Sequence, residues 1–236
     1  RSLMKFPLKN KRNAVLLAVG LFVLSPLYSL AQDQYITVRD FETWSSLQFQ
    51  AKVSKRVKIR AEQQFRFNDN SSALQQSFSQ LSGAYTWKNE LYVGGALRYA
   101  SVAKDSVFQP RLRWNVDVGY GHELGRFDFG YRLRFQSRSI VNDSTDVPRN
   151  VMRAKAKVGY NVRDWKLDPS LAVELFSETD AIATPNKLRG TLSTSYKLSK
   201  STRISAFYRV ERELFETYPL TSHIVGARLK YSFKTY

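Results

Sequence analysis

Apolar and polar residues alternate with a period of two along most of this chain. From Phe108 to Tyr120 the even positions are Phe108, Pro110, Leu112, Trp114, Val116, Val118 and Tyr120. The odd positions between them are Gln109, Arg111, Arg113, Asn115, Asp117 and Gly119. After Gly121–Gly125 the alternation resumes, with Phe127, Phe129, Tyr131, Leu133 and Phe135 set against Asp128, Gly130, Arg132, Arg134 and Gln136. Successive side chains of a strand point to opposite faces, so this spacing predicts two long β-strands joined by a tight turn.

The same reading finds eleven strand-like runs, at 41–53, 57–67, 74–87, 91–100, 108–120, 126–137, 150–161, 166–177, 187–197, 202–212 and 222–233. Most are about 10–13 residues long, longer than the usual ~5–6 of globular strands and long enough for the ~9–11 that cross a bilayer. No run has helical spacing. The connections alternate in length. Those at 54–56, 88–90, 121–125, 162–165 and 198–201 are tight, and those at 68–73, 101–107, 138–149, 178–186 and 213–221 are longer and more polar. Short turns on one side and longer loops on the other predict an all-β fold, a transmembrane antiparallel up-and-down barrel with its short turns in the periplasm. With both chain ends on one side the strand count is even. The expectation is about twelve strands, the extra one drawn from 33–40, with ten as the alternative. A soluble two-sheet sandwich would not sort its connections this way.

Aromatics on the apolar faces gather at strand ends. Tyr85, Trp87, Tyr120, Phe127, Tyr160, Tyr196, Tyr231 and Phe233 lie beside the short turns, and Phe67, Tyr99, Phe108, Phe135 and Tyr208 toward the loops. Aliphatic residues fill the band between, as expected where amphipathic rings settle at membrane interfaces. Leu112, Val116, Phe129, Leu133, Val158 and Leu229 are expected to face lipid. Three positions break the pattern. Gln63 falls on the apolar face and Phe207 on the polar one, and Phe78 is out of phase with Leu81 unless a bulge lies near 79–80.

The polar face is strongly basic. Its cations are Lys58, Arg60, Arg66, Arg98, Arg111, Arg113, Arg132, Arg134, Arg153, Lys155, Lys157, Arg189, Arg203, Arg209, Arg228 and Lys230. Its acids are Glu62, Asp117, Asp128, Asp168, Glu174 and Glu211. Counting back from the tight turn puts Arg111 and Arg113 near the levels of Arg134 and Arg132, with Asp117 and Asp128 too close to the turn to neutralise all four. Their counter-charge is then expected across the lumen, from Glu62, Glu174 or Glu211, or from solvent anions. The first outcome is a lumen closed by ion pairs, the preferred reading. The second is a small anion-favouring pore.

Residues 4–31 read as a secretory signal peptide: a basic start at Lys5, Lys9, Lys11 and Arg12, an apolar run at 14–24, a break at Pro26, and small residues Ser29 and Ala31 before Gln32. The mature domain is then 32–236, placed in the bacterial outer membrane. The formal charge of +17 does not choose among anionic partners. The absence of Cys excludes disulfides and thiolate metal sites. The only two His, His122 in a turn and His223 near the far strand end, are expected at opposite rims, so no shared metal site is expected. An outer-membrane lipid-modifying enzyme would need a Ser beside an outward His. Ser205 and Ser222 are the nearest to His223 in sequence, but Ser205 has inward parity. No catalytic residue and no cofactor is expected. Outer-membrane lipid and small anionic solutes are the expected partners. Nucleic acid is not, because no aromatic stacking platform is visible among the basic positions.

Phe41-Glu42-Thr43-Trp44-Ser45-Ser46-Leu47, a short Lys/Arg turn, and Arg60-Ala61-Glu62-Gln63-Gln64-Phe65-Arg66-Phe67 together resemble the DUF2490 family of outer-membrane barrels. The resemblance implies this fold and compartment, and no functional residues.

Overall fold

The computed structural model describes residues 38–87, 90–105, 107–163, 165–179 and 184–235. The signal peptide expected at 4–31 lies outside the described residues. Eleven strands form one closed barrel: β1 (Val38–Lys52), β2 (Val57–Asn68), β3 (Ala73–Thr86), β4 (Leu91–Lys104), β5 (Val107–Leu124), β6 (Phe127–Ile140), β7 (Arg149–Tyr160), β8 (Ser170–Glu178), β9 (Pro185–Lys197), β10 (Thr202–Glu213) and β11 (Leu220–Lys234). Each strand pairs antiparallel with its sequence neighbour. The seam is the exception. β1 and β11 run parallel, from Val38 beside Leu220 to Lys52 beside Lys234. The barrel thus closes on an odd number, between the twelve and ten expected. Val38–Asp40 open β1 and supply no separate strand; 33–37 lie outside the described residues.

Two ends follow from this order. The turn end carries the connections at 53–56, 87–90, 125–126, 161–169 and 198–201, and the loop end those at 69–72, 105–106, 141–148, 179–184 and 214–219. The expected sorting by length does not hold. β4 and β5 run on past their apolar stretches, leaving only two residues between them at the loop end, while the β7–β8 connection at the turn end is the longest. Pro169 explains the latter. It has no N–H to donate to a ladder, so β8 begins after it, at Ser170 and not at 166. Its carbonyl accepts the Tyr160 N–H at 3.0 Å. Asp168, expected on β8, lies in this connection.

β5 continues through His122 to Leu124 and turns on Gly125 and Arg126 alone. Gly125 has φ 62°, the sign that two-residue hairpin turns require at this position. At the loop end Asp69, Asn70 and Ser71 all have positive φ, and the Asp40 carboxylate accepts the N–H of Asn70 at 3.1 Å and that of Asp69 at 3.4 Å. In the 141–148 loop Asp143 accepts from the Thr145 hydroxyl and from backbone N–H groups, which hold its carboxyl below the ordinary range.

The alternation sorts the faces. Leu81, Leu97, Val116, Leu133 and Leu192 are exposed on the outside. Trp44, Gln48, Gln64, Phe78, Arg98, Asn115, Arg153 and Glu174 are buried inside. Phe78 is inward without a bulge at 79–80; the irregularity lies where Arg66 pairs Gln76 and Phe67 pairs Leu74, which leaves Gln75 unpaired. Gln63 is outward, and its amide oxygen accepts from the Ser79 hydroxyl on the next strand, so the two polar groups satisfy each other.

Candidate functional site: the charged lumen

Side chains from strands that are not neighbours can meet only through the inside of a closed barrel. Arg189 on β9 lies 6.0 Å from the Trp44 ring on β1, and Arg132 on β6 meets Glu174 on β8, so these are lumenal contacts.

Glu174 is the centre of the charge network. Its carboxylate accepts from Arg132 at 2.7 Å, Arg153 at 2.9 Å and Arg189 at 3.3 Å. Arg189 extends the network to Glu211 at 2.6 Å. Asp117 takes Arg134 through two bonds, at 2.6 and 2.7 Å, and the Asn115 amide at 3.0 Å. Glu62 accepts from Gln48 at 2.9 Å and lies 3.9 Å from Arg228. Arg60 donates to Gln50 at 3.2 Å and Arg111 to Gln109 at 2.9 Å. At the turn end Asp128 stands 3.8 Å from Lys157 and Asp168 3.8 Å from Arg203. Arg149 and Glu178 pair at the loop end.

The pairing on β5 and β6 differs from the count made on sequence. The two-residue turn shifts the register, so Arg134 faces Asp117, Arg132 faces Gly119, Arg113 faces Arg138 and Arg111 faces Ile140. Asp117 neutralises Arg134 directly, while Glu174, reached over β7 from the next strand but one, takes Arg132. Arg113 also faces Arg98 on its other side. Like charges placed directly opposite repel. Among the described residues Arg113 has no hydrogen-bond or ion-pair partner, and its Nε is buried.

Aromatic rings supply part of what acids do not. The Arg98 guanidinium lies 3.3 Å above Phe78, Arg66 3.7 Å above Trp44, and Arg209 4.7 Å from both Trp44 and Phe207. Arg153 and Arg189 lie 4.4 and 4.6 Å from Phe176. A desolvated stack of this kind is worth about 2 kcal/mol. Rings therefore stand among the basic positions, Phe207 as its parity predicted, and each of them lies against arginines of the barrel itself. The sequence signal was parity: Trp44 shares its face with Glu42 and Gln48, and Phe176 with Glu174. Phe207 and Tyr92 also cover glycines. A Cβ at Gly226 would come 2.2 Å from Phe207, and one at Gly119 2.3 Å from Tyr92. Glycine there lets a cross-strand ring lie flat on the inner wall.

Two cavities flank the central layer. The one at the turn end measures about 560 Å³ and includes Lys155, Lys157, Ala172, Thr191, Arg203, Arg209, Arg228 and Lys230 in its wall. The one at the loop end measures about 550 Å³ and includes Arg138, Val151, Phe176, Lys187, Arg189 and Glu213. Arg153, Glu174 and Glu211 belong to neither wall and lie, by their strand positions, at the level between them.

On the outside, Tyr85 packs on Trp87 and Phe127 on Tyr160, each at 4.9 Å, and Tyr231 lies 6.2 Å from Phe233. His122 is on β5, not in a turn, and stacks with Tyr120, Phe129 and Tyr131. His223 meets the Tyr208 hydroxyl at 2.7 Å near the loop end. Ser205 and Ser222 point inward, away from it. Among the described residues no His, Cys, Asp or Glu side chains group in threes as metal ligands.

A family model described as "Protein of unknown function (DUF2490)" matches residues 41–217. The chain belongs to the DUF2490 family. No curated protein matches this DUF2490 barrel. Among solved structures it is similar to the beta domain of the Bordetella autotransporter BrkA, with 10% identity, TM-score 0.45, and coverage of 75% of this chain and 81% of that one. It is also similar to OmpT, an outer membrane protein of Vibrio cholerae. The loop L8 deletion mutant gives 13% identity, TM-score 0.38, and coverage of 70% and 57%. The in-vitro folded form gives 14% identity, TM-score 0.35, and coverage of 68% and 51%. The DUF2490 barrel thus spans little more than half the length of the OmpT chains.

Proposed function

We propose that this DUF2490 barrel sits in the bacterial outer membrane and is a non-enzymatic, non-conducting scaffold, its lumen closed at mid-depth. The observation that carries this reading is Glu174, one carboxylate bound by three arginines from three strands between two cavities. An apolar outer face with aromatic ends suits insertion in lipid. The two histidines sit against aromatic partners at opposite ends, and Ser205 and Ser222 point away from His223, which supports a non-enzymatic role.

A second reading, a small anion-favouring pore, draws on Arg98 and Arg113, which lack acid partners. Planar-bilayer recording separates the two. The closed reading expects no steady conductance from the wild type. Steady anion-selective current, lost when Arg132 and Arg134 are changed to Ser, would establish the pore.

A further inference from the structure

The turn-end cavity has an excess of positive charge that the protein leaves unmet. Seven cationic side chains line it against three acids, Glu123, Asp128 and Asp168. Two of these acids already stand near Lys157 and Arg203. Lys155 faces Glu174 in the β7–β8 ladder, but the Glu174 oxygens are taken by arginines. Lys230 faces Arg203 in the β10–β11 ladder and shares the cavity wall with Arg203 and Arg228. Among the described residues neither lysine has a hydrogen-bond or ion-pair partner. The same wall carries hydroxyls with donor capacity to spare. Thr191 accepts from Arg209 at 3.2 Å and Ser195 from Arg203 at 3.1 Å, so each hydroxyl hydrogen is free to donate.

We propose that this vestibule binds a multiply charged phosphorylated anion, with Lys155 and Lys230 as its cationic contacts and the Thr191 and Ser195 hydroxyls of β9 as its hydrogen-bond donors. A single chloride would leave most of the excess charge in place. A planar carboxylate offers two oxygens, whereas each phosphate group offers three or more to ammonium and hydroxyl donors arriving from several directions. The volume is in the range of ordinary ligand cavities, about 300–1,000 Å³. The anion is either a soluble phosphate ester or the headgroup of a phosphorylated lipid entering from the rim. The proposal rests on the closed reading only in that the Glu174 layer is the floor of the site.

Calorimetric titration of the detergent-solubilised protein, with sodium tripolyphosphate and separately with dihexanoyl phosphatidate, tests it. Saturable binding is expected, weakened at least about tenfold in the K155Q/K230Q double variant and kept within about twofold in K155R/K230R. K187A, which alters the other cavity, should bind like the wild type. Uptake of tripolyphosphate alone identifies a soluble ligand; uptake of phosphatidate identifies a headgroup. No saturable binding of either probe overturns the site, as does equal weakening in K187A. Binding retained in a conducting barrel would sink the closed reading alone, and a closed barrel without binding would sink this site alone.

Discussion

Glu174 shows how much one side chain decides in a lumen with more cations than acids. Three guanidiniums share its two oxygens, and with the charge removed they would be left buried and facing one another. Breaking a buried pair by removing one partner costs about 3–5 kcal/mol, against about 0–1 for a pair in solvent. E174Q is therefore expected to lower the unfolding midpoint far more than E178Q, whose arginine partner is half exposed; chemical denaturation followed by heat-modifiable gel mobility would measure both. Equal effects would mean the network does not hold the wall. At this scale the face of each charged residue could be read from its parity, because a strand has only two sides. Its partner could not. Partnership depends on where the turn falls, and a turn placed on Gly121–Gly125 instead of Gly125 and Arg126 moved every pairing between β5 and β6.

The strands themselves were legible, since long alternation leaves no other element to choose. Their ends were less so, because ladder hydrogen bonds carry β4 and β5 beyond the apolar stretch that marked them. Pro169 is the opposite case, a residue without a donor that ends the ladder early. The rings of Trp44, Phe78, Phe176 and Phe207 were hard to place because an aromatic on a polar face resembles a break in phase until its arginine partner is known. The two faces of β6 make a clean comparison. Leu133 is 58% exposed on the outside. Gly130 is inward, and a Cβ there meets nothing within 4 Å. An arginine at Leu133 should cost about 2–4 kcal/mol in a bilayer. L133R should thus impair assembly into membranes while G130R assembles, as read by urea-resistant membrane fractionation. Similar losses in both would argue against lipid around the barrel.

At the scale of the molecule, evenness was inferred from the assumption that both ends of the barrel lie on one side, and the parallel seam removes it. Cysteines introduced at Arg39 and at Lys234 should react with a membrane-impermeant maleimide from opposite sides of sealed vesicles. Labelling of both from the same side would contradict the parallel pairing of β1 with β11. An even barrel is a thread whose two tails hang together. Here the thread enters at one face and leaves at the other, so after eleven passes the polypeptide has made a net single crossing. Its two ends cannot be joined by a short linker to make a circular permutant, because the joint would have to travel the height of the wall. Set in a bilayer, the start of β1 and the end of β11 would open on opposite sides of it.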